Sequence, residues 1–169
     1  MGGKQTVTVE LTEEAMAALE SFRTSVDSGM IRISGAAARE SFIVSDSGSI
    51  RIDSLKGNDA KVQTDSGQIR LERFEGGNLA LRSDSGSIHA GTVSATLIAE
   101  SESGSIQIEH LSGYGVVKTD SGSVNIVKDD GSGLDIASDS GSVRITVPSS
   151  FNGIYDLRSD SGSISRMSA

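Results

Sequence analysis

The chain has 169 residues, with 15 Lys and Arg against 23 Asp and Glu, a net charge of −8, 20 Gly, one Pro and no Cys. That length suits one domain with its own core. The absence of Cys excludes a disulfide framework and thiolate metal ligands, the acidic balance argues against a nucleic-acid binder, and no apolar run reaches the length of a membrane span.

Taken in chain order, the first predicted element is a strand from Gln5 to Leu11, with Val7, Val9 and Leu11 on one face. Thr12-Glu13-Glu14 then reads as the start of a short helix running to Phe22. Thr12 serves as N-cap, the two Glu lie in the first turn, and Leu11 and Met16 form a hydrophobic staple. This gives a capping segment over residues 1–23 and a repeat domain over 24–169.

The repeat is the dominant feature. Its corner tripeptides are Asp27-Ser28-Gly29, Asp46-Ser47-Gly48, Asp65-Ser66-Gly67, Asp84-Ser85-Gly86, Glu102-Ser103-Gly104, Asp120-Ser121-Gly122, Asp139-Ser140-Gly141 and Asp160-Ser161-Gly162. The spacing from Gly to Gly is 18–21 residues. After each Gly the second and fourth residues are aliphatic, as in Ile31/Ile33, Ile50/Ile52 and Val143/Ile145, with a polar residue between them. That is the alternation of a half-buried strand. A second strand precedes each Gly, with inward positions such as Leu79/Leu81 and Leu134/Ile136. Between the two strands an apolar residue is followed closely by a glycine, as in Leu55-Lys56-Gly57, and this glycine is expected to supply a positive φ.

A unit this short cannot bury its apolar face alone, but stacked units can. The expected fold is all-β: a β-solenoid of about eight 18–21-residue coils, roughly 35–40 Å long at the usual spacing between strands. An antiparallel sandwich is the competing architecture, but it does not require identical residues once per unit. The last unit is longer by two residues and has Arg166 where an aliphatic residue is due, as suits a terminal coil.

Stacking would align the eight acidic residues in one column. Two readings follow: a row of bound cations, or Asx-turns in which each carboxylate accepts the N–H two residues on. One carboxylate per coil does not supply the 6–8 oxygens that Ca²⁺ takes, so the turn is preferred and no metal or cofactor is expected. Asp129-Asp130-Gly131-Ser132-Gly133 lacks the spacing of a Ca²⁺ loop and reads as a turn. The residue three before the repeat Gly is Ser or Thr from Ser45 to Ser159 and faces inward by parity, as a hydroxyl ladder. Arg32, Arg51, Arg70 and Arg144 form an outward basic column, and it is the candidate face for a partner. Eight equivalent serines are a poor nucleophile signature, because a catalytic serine is singular, so no enzyme is expected.

The run Lys118-Thr119-Asp120-Ser121-Gly122-Ser123-Val124, and the passage from Ile145-Thr146-Val147-Pro148 to Ser163-Ile164, resemble the repeats of the bacterial adhesin-type family also called Toastrack. The resemblance covers residues 24–166. It implies a single-stranded, right-handed β-helix without catalysis, found as an extracytoplasmic or membrane-associated sensor or scaffold in envelope-stress systems. On that reading the partner is a protein, an envelope polymer or another copy of the chain. Without the family analogy a cytoplasmic setting stays open, and the rival functions are a self-assembling structural protein and a surface adhesin.

Overall fold

The computed structural model describes residues 5–10 and 19–168. Among these residues eleven strands form one sheet, and each pairing is parallel. They are β1 Gln5–Glu10, β2 Ser21–Ala37, β3 Glu40–Ile52, β4 Leu55–Thr64, β5 Ile69–Ser83, β6 Ile88–Ser101, β7 Ile106–Ser112, β8 Gly115–Ser121, β9 Val124–Lys128, β10 Leu134–Val147 and β11 Tyr155–Ser168. Parallel pairing between units one period apart makes a β-solenoid of about eight turns and excludes the antiparallel sandwich.

The register follows the repeat. Ile31, Ile50, Ile69, Ile88, Ile106, Val124, Val143 and Ile164 are stacked in one column. From Ile31 to Val143 each of these side chains is at most 1 % exposed. The second expected strand stacks in the same way, through Ala60, Leu79, Leu97, Gly115, Leu134 and Tyr155. A third ladder was not foreseen. Leu55, Phe74 and Leu111, expected between strands, are themselves paired in register and buried, together with Ala36 and Val93. Three ladders of strands therefore turn their inward residues into one continuous core.

Two local expectations are corrected. Ser21 and Phe22, read as the end of a capping helix, open strand β2. The rest of that helix, residues 11–18, lies outside the described residues. The strand predicted before it is present as β1, which pairs with Gly29–Gly35 of β2 and adds a partial coil to the stack. The corner glycines also act differently from expectation. Gly113 has a positive φ of 124°, but Gly57 and Gly76 do not. There the requirement is space, because a Cβ on Gly76 would lie 1.8 Å from the Gly57 carbonyl oxygen. Space is required along the repeat corner as well, where a Cβ on Gly86 would lie 1.7 Å from the Gly67 carbonyl oxygen, and Gly29 and Gly141 there also have positive φ, 137° and 151°. The tripeptide keeps its glycine because successive coils touch backbone to backbone at that column.

Candidate interaction surface

The Asp-Ser-Gly corner is built by the backbone. Ser85 N–H donates to the Asp65 carbonyl at 2.8 Å, and Ser121 N–H to the Glu102 carbonyl at 2.8 Å. Several corner serines add a side-chain bond to the coil before; Ser140 Oγ donates to the Asp120 carbonyl at 3.3 Å. The expected Asx-turn is not formed at these corners among the described residues. The one carboxylate that accepts an N–H two residues on is Asp130, from Ser132 at 3.3 Å. The physical reason is that the ladder between coils already takes the corner N–H groups. The carboxylates of Asp27, Asp46, Asp65, Glu102, Asp120, Asp139 and Asp160 therefore point to solvent, with Asp84 half-buried beside Arg82 at 3.6 Å. Among the described residues, no three His, Asp or Glu side chains converge to hold a metal ion.

The inward hydroxyl column lies where parity placed it, with Ser45 and Thr64 fully buried. Its bonds differ from a ladder of hydroxyls. Thr64, Ser83 and Ser101 each donate 3.4 Å to the glycine carbonyl of the preceding coil. Ser45, Thr119 and Ser138 have no protein partner.

The basic column is stacked as expected, Arg32 on Arg51 on Arg70 on His89, with Arg144 further along. Two of its members pair with an acid two residues on: Arg51 lies 3.6 Å from Asp53, and Arg70 donates to Glu72 at 2.7 Å. That bond from Arg70 holds the Glu72 carboxyl below its ordinary value, against a smaller opposing effect of burial. Arg32 and Arg144 make no ion pair among the described residues.

A different column stands out once the register is known. On the strand that leads into each corner, the outward residue between two inward ones runs Arg23, Phe42, Lys61, Ala80, Ile98, Val116, Asp135, Asp156. Its counterpart after the corner is polar in every coil from Arg32 to Arg144. Phe42 is 39 % and Ile98 43 % exposed. A trough of about 370 Å³ runs beside them, with Glu40, Asp59 and Asn78 on its other wall. Lys61 Nζ sits 5.7 Å from the centre of the Phe42 ring, close enough for a cation–π contact. The signal was available in the sequence, since Phe42 and Ile98 fall at outward positions of an alternating strand.

The structure also brings together a group that sequence reading passed over. Lys128 takes the place after Leu111 in the third apolar column. Its side chain is fully buried, and its ammonium donates to the Gly113 carbonyl, to Ser132 Oγ at 2.8 Å and to Asp130 Oδ1 at 2.8 Å. Asp130 Oδ2 accepts the Gly113 N–H at 2.9 Å. Burial pushes the Asp130 carboxyl up, but the bonds from Lys128 and Ser132 together outweigh it and hold the carboxyl below its ordinary value. The segment read as a turn thus supplies a partly exposed carboxylate to a buried lysine ammonium.

A family model described as Toastrack DUF4097 matches residues 1–127 and 97–168. No curated protein and no solved structure matches the chain.

Proposed function

The chain belongs to the Toastrack family, and on that premise we propose that it works as a non-enzymatic scaffold that presents one rigid face to a protein partner. The observation that carries this reading is the column from Phe42 to Val116. Exposed apolar residues aligned on one face, while the equivalent column elsewhere is polar throughout, are the mark of a contact surface. The column is basic at Arg23 and Lys61, apolar from Ala80 to Val116 and acidic at Asp135 and Asp156. A partner segment laid along it would carry acids, then apolar residues, then bases. The right-handed coil and the bacterial-envelope setting implied by the resemblance belong to the same proposal. Fold alone does not supply them.

The test is a pull-down from bacterial extract with three forms of the protein. In the Phe42→Ser/Ile98→Asp variant the captured partner is expected to be lost. In the Arg32→Glu/Arg144→Glu variant it is expected to be retained. Both variants change exposed residues, so each substitution should shift stability by no more than about 0.5 kcal/mol. Loss of the partner in the arginine variant alone would move the docking face to the basic column. Equal capture by all three would end both readings.

A further inference from the structure

The column through Phe42 and Ile98 fixes the order of charges on whatever covers it: acids against Arg23 and Lys61, apolar residues against Ala80 to Val116, bases against Asp135 and Asp156. Taken from the last coil back to the first, the same column carries acids, then apolar residues, then bases. We propose that its partner is a second copy of this chain, laid face to face with its coils running the opposite way, as a closed twofold dimer. This partner is the occupant of the contact surface described above and stands on that reading.

The columns on either side set the register. One flank runs Glu40, Asp59, Asn78 and Thr96, with Tyr114 next, and the other runs Gln63, Arg82, Glu100 and Lys118. Three of the four large apolar side chains exposed between Ser21 and Val147 lie on this face: Phe42, Ile98 and Tyr114, the fourth being Met30. With the twofold axis running across the strands, between the coils of Ala80 and Ile98, each column meets itself reversed. Ala80 then meets Ile98 of the second copy, Lys61 lays its stem on Val116, and Asp135 faces Phe42 between Arg23 and Lys61. On the flanks Arg82 meets Glu100, and the Tyr114 hydroxyl meets Asp59. Each contact occurs twice, because a twofold interface is isologous. Asp156 is already held by Arg158 of its own chain at 2.7 Å, so Asp135 is the acid that serves the basic end. Arg82 has only a loose contact of its own, 3.6 Å from Asp84.

Charge selects this arrangement, since like charges directly opposite are unfavourable. An axis on the coil of Ala80 would set Arg82 against Arg82, and one on the coil of Ile98 would set Glu100 against Glu100. A shift by one full coil leaves either Asp135 and Asp156 or Arg23 and Phe42 uncovered. Rods running the same way would set Arg23, Lys61 and Asp135 each against itself. The chosen register covers the whole face. The strand from Glu40 to Val44, repeated over the stack, makes a patch of roughly 40 by 16 Å, about 1,200 Å² over two copies, which is enough for a specific interface.

The experiment is light scattering coupled to size exclusion over a wide concentration series, on the parent and two charge-reversal variants. The parent is expected to reach twice 17.5 kDa. Arg82→Glu and Glu100→Arg should each weaken the dimer by about tenfold or more, because each sets like charges opposite twice. An equimolar mixture of the two should recover it, since each altered position then faces the other alteration. Arg82 and Glu100 are also neighbours within one chain, but mixing leaves that repulsion unchanged, so it cannot produce the recovery. The chain has no Cys. Thr96→Cys, beside the axis, should join two chains through a short bis-maleimide, and Ser21→Cys, at the far end of the same column, should not. A monomer at all concentrations, single variants that dimerise as the parent does, or a dimer that Thr96→Cys does not crosslink would overturn the proposal. A monomer whose captured partner is still lost in Phe42→Ser/Ile98→Asp would keep the surface and replace its occupant. A monomer that captures equally in every form would remove the surface itself.

Discussion

Gly86→Ala is expected to destabilise the protein by about 3–5 kcal/mol, among the largest effects of any single methyl group in the chain. The added carbon would sit 1.7 Å from the Gly67 carbonyl oxygen, which is backbone and cannot swing away. Relief requires two coils to separate at the corner, which breaks the bond from Ser85 N–H to the Asp65 carbonyl beside it. Gly35→Ala is the control. Among the described residues nothing lies within 4 Å of a Cβ there, and its φ is not positive, so a neutral or slightly favourable change is expected, at most about 1 kcal/mol. Urea unfolding of the two variants beside the parent checks this. Similar midpoints for both would mean that coil spacing is not set by the glycine column.

Asp130→Ala should cost about 2–4 kcal/mol, because it leaves the buried Lys128 ammonium without its counter-charge. The same measurement on Lys128→Met should show a change within about 1 kcal/mol of the parent, since an unbranched apolar chain fits the column that Leu111 continues. The double variant should recover most of the loss caused by Asp130→Ala. The pH dependence has a definite sign. The folded-state pKa of Asp130 lies below its ordinary 3.8. Its contribution is therefore present above that value and is lost as pH falls through the folded-state pKa. Acid titration of stability should be steeper at its low end in the parent than in Asp130→Ala. A parallel pair of curves would show that the carboxylate does not hold the lysine in solution.

The architecture was legible because the repeat is written into residues whose physics is periodic. Ile31 to Val143 alternate with polar residues, and the unit length forces them into a stack. The hydroxyl column from Ser45 to Ser138 followed from parity alone. The third ladder was missed because only one inward residue per coil, such as Leu55 or Phe74, marks it, and one residue shows no alternation. Lys128 was missed because a lysine beside two aspartates reads as surface. Its burial depends on the Gly113 carbonyl 15 residues away, and no local pattern encodes that. The candidate face was read from charge, which drew attention to Arg51 and Arg70. Their acids, Asp53 and Glu72, stand two residues on in the chain and could have been weighed. The apolar column needed the register, because Phe42, Ala80, Ile98 and Val116 come from four separate strands.

The lysine in the third column also divides the rod mechanically. The third ladder is apolar from Ala36 to Leu111, is interrupted by Lys128 and resumes one coil on with the buried Val147. Pulled from its two ends, such a rod should yield coil by coil from the Pro148–Ser168 side, with a rise in force when peeling reaches the Lys128–Asp130 pair. Amide exchange should show the same gradient without load: fast in β11, slower through β10, slowest from β4 to β6.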